Sequence, residues 1–330
     1  MAEELYSPKA VLVTGGLGFI ASNFLNYMVP KYPGVKFVNF DRNDYCSSLK
    51  NVTVADAPNY HFVKGDLVSD DLIRYVLETH GIDTIIHYAA QTHVCNSFTS
   101  SLQFTKDNVL ATHVLIECAR QYGRIRRMIM VSTDEVYGEI STGTCTEQSL
   151  LLPTNPYAAS KANSELIARS YNISYNFPVI ITRGNNVYGP RQFQEKLIPR
   201  FTMSLLRGEK CTIHGKGLTR RNFAHVDDVA RAFETILFKG KIGAIYNIGV
   251  DSEYTVLEIA ELLRKIITPD KSLDEIIEYV PDRLFNDSRY SVDSSSLHAL
   301  GWKDELTLEK ELPKVVQWYR EHGETQWLRD

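Results

Sequence analysis

The sequence predicts an α/β fold built on a doubly wound, parallel sheet, and three observations carry this prediction. Short apolar runs alternate with segments of helical period through the first half of the chain, as in repeated βαβ units. A glycine-rich turn joins the first apolar run to the first helical segment. Acidic and hydroxyl side chains follow later apolar runs, at the edge where such sheets bind ligands.

Six buried strands are predicted from apolar runs of four or five residues. They cover residues 11–14, 36–40, 60–63, 84–87, 128–132 and 179–183. Four helices are predicted between them, at 20–28, 70–79, 102–122 and 157–175. The first helix is expected to stop at Pro30, because proline lacks the N–H that a continuing helix needs.

The alternation of strands and helices loosens after Gly184, where glycine and proline separate shorter elements. We therefore expect a Rossmann domain over residues 1–186 and a smaller substrate lobe over 187–330. The chain is expected to return to the first domain within 222–250.

Composition excludes several classes of protein. A formal net charge of -4 provides no basic field for a nucleic-acid backbone. The five cysteines are scattered without a CxxC pair, which favours neither a disulfide framework nor a metal site and indicates a reducing, cytoplasmic location. The sequence shows neither a leader nor an apolar run long enough for a membrane helix.

The turn at 14–21 has the spacing GxxGxxA, which lets the backbone approach a pyrophosphate at a helix N-terminus. A tight turn without a ligand has the same local pattern. Asp41 ends the second strand 23 residues after Gly18, where a carboxylate can bind an adenosine ribose. NAD is therefore the expected cofactor. Arg42 leaves NADP as an alternative, since a guanidinium can bind a 2′-phosphate that Asp41 would repel.

Tyr157 and Lys161 lie four residues apart on a predicted helix, and therefore on one face. An ammonium there can lower the pKa of the phenol and make Tyr157 a base near neutral pH. The same spacing is common in helices without a catalytic role. The position after the fifth strand favours the functional interpretation.

Thr133, Asp134 and Glu135 follow the fifth strand directly. Adjacent acids at the carboxyl end of a strand can divide the work of a general acid and a general base. A solvated acidic loop is the alternative interpretation. The hydroxyls of Ser132 and Thr133, and Tyr157 at the same crevice, favour a catalytic site.

These residues, with the step Gly65-Asp66 and the pair Ala89-Ala90, resemble extended short-chain dehydrogenase/reductases that act on nucleotide sugars. Thr133-Asp134-Glu135 resembles the catalytic triplet of the nucleoside-diphosphate-glucose 4,6-dehydratases. Several further segments are most similar to the dehydratase part of plant rhamnose synthases: 44–46, 91–93, 154–157, 183–190 and 195–199. The resemblance covers essentially the whole chain.

The resemblance implies dehydration of UDP-glucose, with dTDP-glucose as an alternative donor, as the first step towards rhamnose or a related deoxysugar. Tyr157 would take the O4 proton beside Thr133 while a hydride passes from C4 to the nicotinamide. Glu135 would remove the C5 proton, Asp134 would protonate the departing C6 hydroxyl, and the hydride would return to C6. Lys161 would assist Tyr157.

The resemblance also implies two sets of binding residues and a homodimer formed through the helices on either side of the fifth strand. NAD would contact Gly15, Gly18, Phe19, Ile20, Asp41, Asp66, Leu67, Ala89, Ala90, Tyr157 and Lys161. The nucleotide sugar would contact Asn186, Lys196, Arg221 and Arg283.

Three departures from the family pattern stand out. Cys95 occupies a position where these dehydratases usually have Asp, and Asn286 stands where thymidine-nucleotide enzymes often have His. The plant proteins continue into a second module, whereas this chain ends near Trp327, so only the first step is expected. A nucleotide-sugar 4-epimerase and a non-catalytic, NAD-binding regulatory protein are the alternatives.

Overall fold

The computed structural model describes residues 6–282 and 287–328. Its strands are β1 (Ala10–Thr14), β2 (Lys36–Asp41), β3 (Tyr60–Lys64), β4 (Thr84–His87), β5 (Arg127–Thr133), β6 (Val179–Gly184), β7 (Asn186–Tyr188), β8 (Cys211–His214), β9 (Arg220–His225), β10 (Ile245–Ile248), β11 (Glu253–Thr255) and β12 (Ile277–Val280). Seven of them form a central parallel sheet in the order β10-β6-β5-β4-β1-β2-β3.

The helices are α1 (Phe19–Lys31), α2 (Asp70–His80), α3 (Val94–Thr99), α4 (Ser101–Phe104), α5 (Ala111–Tyr122), α6 (Pro156–Tyr175), α7 (Leu197–Leu206), α8 (Val226–Lys239), α9 (Val256–Ile267), α10 (Leu273–Ile276), α11 (Ser295–His298) and α12 (Leu308–His322). Within the described residues, none is long and apolar enough to cross a membrane.

The central sheet is buried on both faces because successive side chains of each strand point in opposite directions. In β1, Val11 and Val13 pack with Phe24 of α1 in one apolar cluster, whereas Leu12 packs with Val76 of α2 in another. This two-sided burial explains why the strands are continuous apolar runs in the sequence. The predicted doubly wound α/β fold is confirmed, and all six predicted strands are present.

Two helix predictions were wrong in detail. Helix α1 runs through Pro30 and ends at Lys31, because a proline in the last turn removes one hydrogen bond but keeps a helical φ. The segment predicted as one helix over 102–122 is interrupted by a π-helical turn, Thr105–Leu110. Asn108 in that turn bonds the backbone of Gln91 and the hydroxyl of Ser160, which ties the turn to the site region.

The second half of the chain contributes to both parts of the molecule. Strand β10 pairs with β6 in the central sheet, and α8 packs against α1. Strands β7, β9 and β11 form one small sheet, and β8 pairs with β12 in another. These two sheets pack with α7, α9 and α12 around a third apolar cluster, which includes Phe201, Leu263 and Leu312.

Candidate active site

A cavity of about 500 Å³ opens at the carboxyl ends of β1, β4, β5 and β6. The strand order reverses between β1 and β4, and open α/β sheets bind ligands at such a reversal. Residues of the second-lobe elements, such as Lys196 and Arg221, form its other wall. The site is therefore a cleft between the two small sheets and the central one.

The cavity brings together every described residue that the sequence predicted for the site. They are Gly15, Gly18, Phe19, Ile20, Asp41, Asp66, Leu67, Ala89, Ala90, Thr133, Asp134, Glu135, Tyr157, Lys161, Asn186, Lys196 and Arg221. Arg283 and Asn286 lie outside the described residues. In the described part of the chain, Cys95 does not line the cavity; the neighbouring residues Thr92, His93 and Val94 do.

The glycine turn has the shape that a phosphate-binding loop needs. Gly15 has a φ of 71°, and a Cβ there would lie 2.7 Å from the backbone of Ala89, so a side chain cannot be accommodated. Gly18 is the N-cap of α1. Among the described residues, a Cβ at Gly18 would meet one atom within 4 Å, the Gly15 carbonyl oxygen at 3.1 Å, and would otherwise fill the cavity. The turn thus leaves room for a ligand at a helix N-terminus.

Asp41 and Arg42 end β2 beside this turn. The Asp41 carboxylate accepts hydrogen bonds from the backbone N–H groups of Leu17, at 3.0 Å, and Asn43, at 2.6 Å. The Arg42 guanidinium is surrounded by three carboxylates: Asp44 at 2.6 Å, Asp107 at 2.9 Å and Asp66 at 3.8 Å. A 2′-phosphate here would meet a guanidinium already bound and repulsion from several acids, so the pocket fits NAD better than NADP.

Tyr157 and Lys161 lie on the first turns of α6, and both are buried. Lys161 Nζ donates a hydrogen bond to the carbonyl of Val131 at 2.6 Å, and burial lowers the pKa of Lys161 to about 8. Burial, and then the charge of Glu135, raises the pKa of Tyr157, while a hydrogen bond with Thr133 opposes the rise. The expected lowering of the Tyr157 pKa by Lys161 is not seen in this structure, because burial and the charges of Glu135 and Asp134 raise it.

The acid pair occupies a 3₁₀ turn, Asp134–Tyr137, directly after β5. Thr133 Oγ1 donates to Asp134 Oδ1 at 3.2 Å and accepts from the backbone N–H of Glu135 at 3.3 Å. Burial raises the pKa of Asp134 to about 7, against a hydrogen bond from Asn185. Burial likewise raises the pKa of Glu135, against a hydrogen bond from Asn155. Burial therefore shifts both acids towards the protonated form, and the pKa of Asp134 lies near neutral pH.

Two of the second-lobe candidates, Lys196 and Arg221, lie near the same acids. Each already makes a hydrogen bond within the protein. Lys196 Nζ donates to the carbonyl of Thr92 at 2.8 Å. Arg221 donates to the carbonyl of Asp287 at 2.8 Å, and its guanidinium lies 4.6 Å from the ring centroid of Tyr290. Asn186 on β7 is exposed to the cavity. The bond to Thr92 uses one of the three N–H donors of Lys196, which leaves others for a diphosphate.

Several polar residues of the site were missed by the sequence interpretation, above all Asn155 and Asn185. Asn155 belongs to the segment 154–157 and Asn185 directly precedes Asn186, so both lay within segments that carry the family resemblance. The sequence therefore contained both residues in recognised segments, but only the folded structure shows that their side chains bond Glu135 and Asp134. Among the described residues, no group of three or more His, Cys, Asp or Glu side chains is arranged to hold a metal ion.

A Rossmann sheet with a glycine turn, an acid at the end of the second strand and a buried Tyr-Lys pair defines a short-chain dehydrogenase/reductase of the extended type. The chain belongs to the GDP-mannose 4,6 dehydratase family, whose model matches residues 12–315.

Comparison with known proteins adds two relatives. The chain is 49% identical over 329 residues to the trifunctional UDP-glucose 4,6-dehydratase/UDP-4-keto-6-deoxy-D-glucose 3,5-epimerase/UDP-4-keto-L-rhamnose-reductase RHM1 of Arabidopsis thaliana, covering 98% of this chain and 49% of that protein. It is 46% identical over 318 residues to the dTDP-D-glucose 4,6-dehydratase of Homo sapiens, covering 95% and 91%. The chain spans about half the length of the plant relatives it matches.

A solved structure supports the same relationship. The crystal structure of DesIV, a dTDP-glucose 4,6-dehydratase from Streptomyces venezuelae with NAD and TYD bound, superposes with a TM-score of 0.90 at 39% identity. The alignment covers 95% of this chain and 97% of that one. The fold is therefore shared over 95% of this chain.

Proposed function

We propose that this protein is an NAD-dependent UDP-glucose 4,6-dehydratase, which converts UDP-glucose to UDP-4-keto-6-deoxy-glucose and water. The observation that carries the proposal is the presence of Tyr157, Asp134 and Glu135 in one cavity. Oxidation at C4 needs a base for the O4 proton and a hydride acceptor. Loss of the C6 hydroxyl needs an acid as well, and removal of the C5 proton needs a second base.

The cofactor proposed here is NAD, held by the residues that the resemblance implies. The open space at Gly18 suits a pyrophosphate, and the carboxylate of Asp41 suits a ribose. The acids around Arg42 disfavour the 2′-phosphate of NADP. When bound, NAD supplies a cationic ring that accepts a hydride and whose charge opposes the rise in the Tyr157 pKa. Tyr157 then takes the O4 proton, with the Thr133 hydroxyl as its hydrogen-bond partner.

The elimination half of the reaction falls to the acid pair. With a pKa of about 7, Asp134 is substantially protonated at neutral pH and can donate to the departing C6 hydroxyl. Glu135 takes the C5 proton and later returns one to C5. The balance closes: the water contains the C6 hydroxyl and one proton, O4 loses one proton, and the C4 hydride ends on C6.

The nucleotide is proposed to lie against Asn186, Lys196 and Arg221 in the second lobe, with Arg283 from outside the described residues. We propose UDP-glucose as the preferred donor because the second-lobe segments resemble the plant enzymes. A pocket that binds a ribose 2′-hydroxyl leaves polar groups unpaired with a deoxyribose, which can exceed the roughly 1 kcal/mol of one thymine methyl. Comparing kcat/KM for the two donors tests this, and a ratio favouring dTDP-glucose contradicts it.

A 4-epimerase would use Tyr157 and Lys161 but has no step for Asp134 and Glu135. Incubation of the protein with UDP-glucose separates the alternatives. Mass spectrometry is expected to show a product lighter by one water. An epimer of unchanged mass would support the epimerase, and unchanged substrate with NAD bound would support a non-catalytic role.

The domain, assembly and location expected from the sequence remain part of the proposal. Residues 1–186 are proposed to bind NAD and 187–330 the nucleotide sugar. Exposed apolar side chains support a homodimer through the helices flanking β5: Leu102 is 83% exposed, Leu166 53% and Ile173 73%. Light scattering tests the dimer, and cell fractionation tests the cytoplasmic location.

A further inference from the structure

The two acids of the site are each held by a different asparagine amide. Asn185 Nδ2 donates to Asp134 Oδ2 at 2.7 Å, and Asn155 Nδ2 donates to Glu135 Oε2 at 3.1 Å. Both asparagines are buried and both line the cavity. They come from different elements, Asn155 from the start of α6 and Asn185 from the end of β6.

Hydrogen bonds from the backbone determine whether the oxygen or the NH₂ group of each asparagine amide faces its acid. The Oδ1 atom of Asn185 accepts a hydrogen bond from the backbone N–H of Val250 at 3.2 Å. The Oδ1 atom of Asn155 accepts from the backbone N–H of Ala158 at 2.9 Å, which makes it the N-cap of α6. Because each oxygen is committed to a backbone donor, each NH₂ group must face a carboxyl group.

We propose that Asn155 and Asn185 are positioning residues that separate the roles of the two acids. This rests on the proposed dehydratase function. Asn155 holds Glu135 as the carboxylate that removes the C5 proton. Asn185 donates a hydrogen bond to Oδ2 of Asp134. The other carboxyl oxygen, Oδ1, lies beside the Thr133 hydroxyl and is the one that delivers the proton to the C6 hydroxyl.

Other charged and titratable groups also face the acids. Those facing Asp134 are Glu135, Cys145, Tyr157 and Arg221. Those facing Glu135 are Asp134, Tyr157, Lys196, Arg221, Asp287 and Tyr290. Arg221 acts on both acids, whereas each asparagine bonds only one of them, so removing one amide acts directly on its own acid and reaches the other only through the charge coupling between the two acids.

The direction of each change follows from the protonation state that each acid needs. Both amides stabilise a carboxylate, so loss of either amide raises the pKa of its partner. Asp134 acts protonated, and loss of the Asn185 amide therefore moves the alkaline limb of kcat to higher pH. Glu135 acts ionised, and loss of the Asn155 amide therefore moves the acidic limb to higher pH. A shift of about one pH unit is the scale of a lost hydrogen bond to a charged group.

Four variants separate positioning from folding. Asn155→Ser keeps a helix N-cap but removes the amide donor. Asn185→Ser keeps a hydroxyl oxygen that can accept from the Val250 N–H but removes the amide donor without adding a charge, and Asn185→Ala removes both functions. Asn222→Ala is the matched control, since buried Asn222 also bonds Val250, through its carbonyl, and touches neither acid.

The experiment measures the pH profile of kcat with UDP-glucose and, independently of turnover, the carboxyl titrations of Asp134 and Glu135 by carbon-13 NMR. We expect Asn155→Ser to move the acidic limb and the Glu135 titration more than the alkaline limb and the Asp134 titration. Both Asn185 variants should move the alkaline limb and the Asp134 titration more than the acidic limb and the Glu135 titration. Asn222→Ala should lower Tm and leave both limbs in place.

Two results overturn the inference: unmoved titrations in the Asn155 and Asn185 variants, or a variant in which the other acid shifts as far as the acid that the asparagine bonds, or further. A wild-type protein that leaves UDP-glucose unchanged would contradict the proposed function instead. In that case the NMR titrations still decide whether each amide controls its own acid.

Discussion

The guanidinium of Arg42 is bound by the carboxylate of Asp107, with Nη2 lying 2.9 Å from Oδ2. Asp107 lies in the π-helical turn and Arg42 directly follows β2, so this hydrogen bond connects the two elements beside the proposed ribose site. Arg42 is therefore committed to a protein carboxylate and is poorly placed to bind a 2′-phosphate. This relationship decides the choice of cofactor that the sequence left open.

The first prediction is that the purified protein carries NAD. The hydride must return to the sugar from which it came, so a cofactor that dissociates during turnover would abandon the intermediate. Denatured extracts analysed by liquid chromatography should contain NAD. Extracts that contain NADP and no NAD would contradict the assignment of Asp41 and Arg42.

Strand positions, the glycine turn and the acid pair could be predicted because each is a local feature of the sequence. Apolar runs mark strands buried on both faces, and the glycine turn and acid pair follow strands directly. The partner of Asp134 could not be predicted. Asn185 comes from the neighbouring strand, and it reaches Asp134 because Thr133 pairs with Gly184 across the sheet.

The pKa of Tyr157 shows a different limit of sequence reasoning. The spacing of Tyr157 and Lys161 suggested an attractive pair, but it could not reveal that Lys161 bonds the Val131 carbonyl or that two acids stand near the phenol. Burial and nearby charge depend on the packed structure, and they reversed the expected direction.

The second prediction concerns Tyr157→Phe. Removal of a positioned proton-transfer group typically lowers turnover by roughly 10²-fold or more, while the apolar ring keeps its packing against Phe104. Steady-state kinetics should show the loss in kcat, and calorimetry should show nearly unchanged binding of UDP-glucose. An unchanged kcat would remove Tyr157 from the mechanism.

The third prediction is that the two acids are separable. Glu135→Gln should still oxidise C4, seen as NADH absorbance in a single turnover, but should be impaired in removing the C5 proton. Asp134→Asn should be impaired at loss of the C6 hydroxyl and suffer less with a better leaving group at C6. Equal loss of NADH formation in both variants would refute this division.

The fourth prediction concerns the buried ion pair of Arg183 and Glu165, whose closest atoms lie 2.7 Å apart. Arg183 also donates to the hydroxyl of Tyr137, so the pair links α6 and β6 to the end of the acid turn. Arg183→Ala leaves a buried carboxylate without its partner and should lower the free energy of unfolding by about 3–5 kcal/mol. Urea denaturation measures this, with the partly exposed Arg74→Ala as the control; equal stability of the two variants would argue against it.

The most direct test of the proposed dehydratase follows the hydride from C4. UDP-glucose carrying deuterium at C4 is incubated with the protein, and the product is examined by NMR and mass spectrometry. The mechanism predicts one deuterium at C6 of a 4-keto-6-deoxy product that has lost one water. Deuterium retained at C4 of a product with an intact C6 hydroxyl would contradict it.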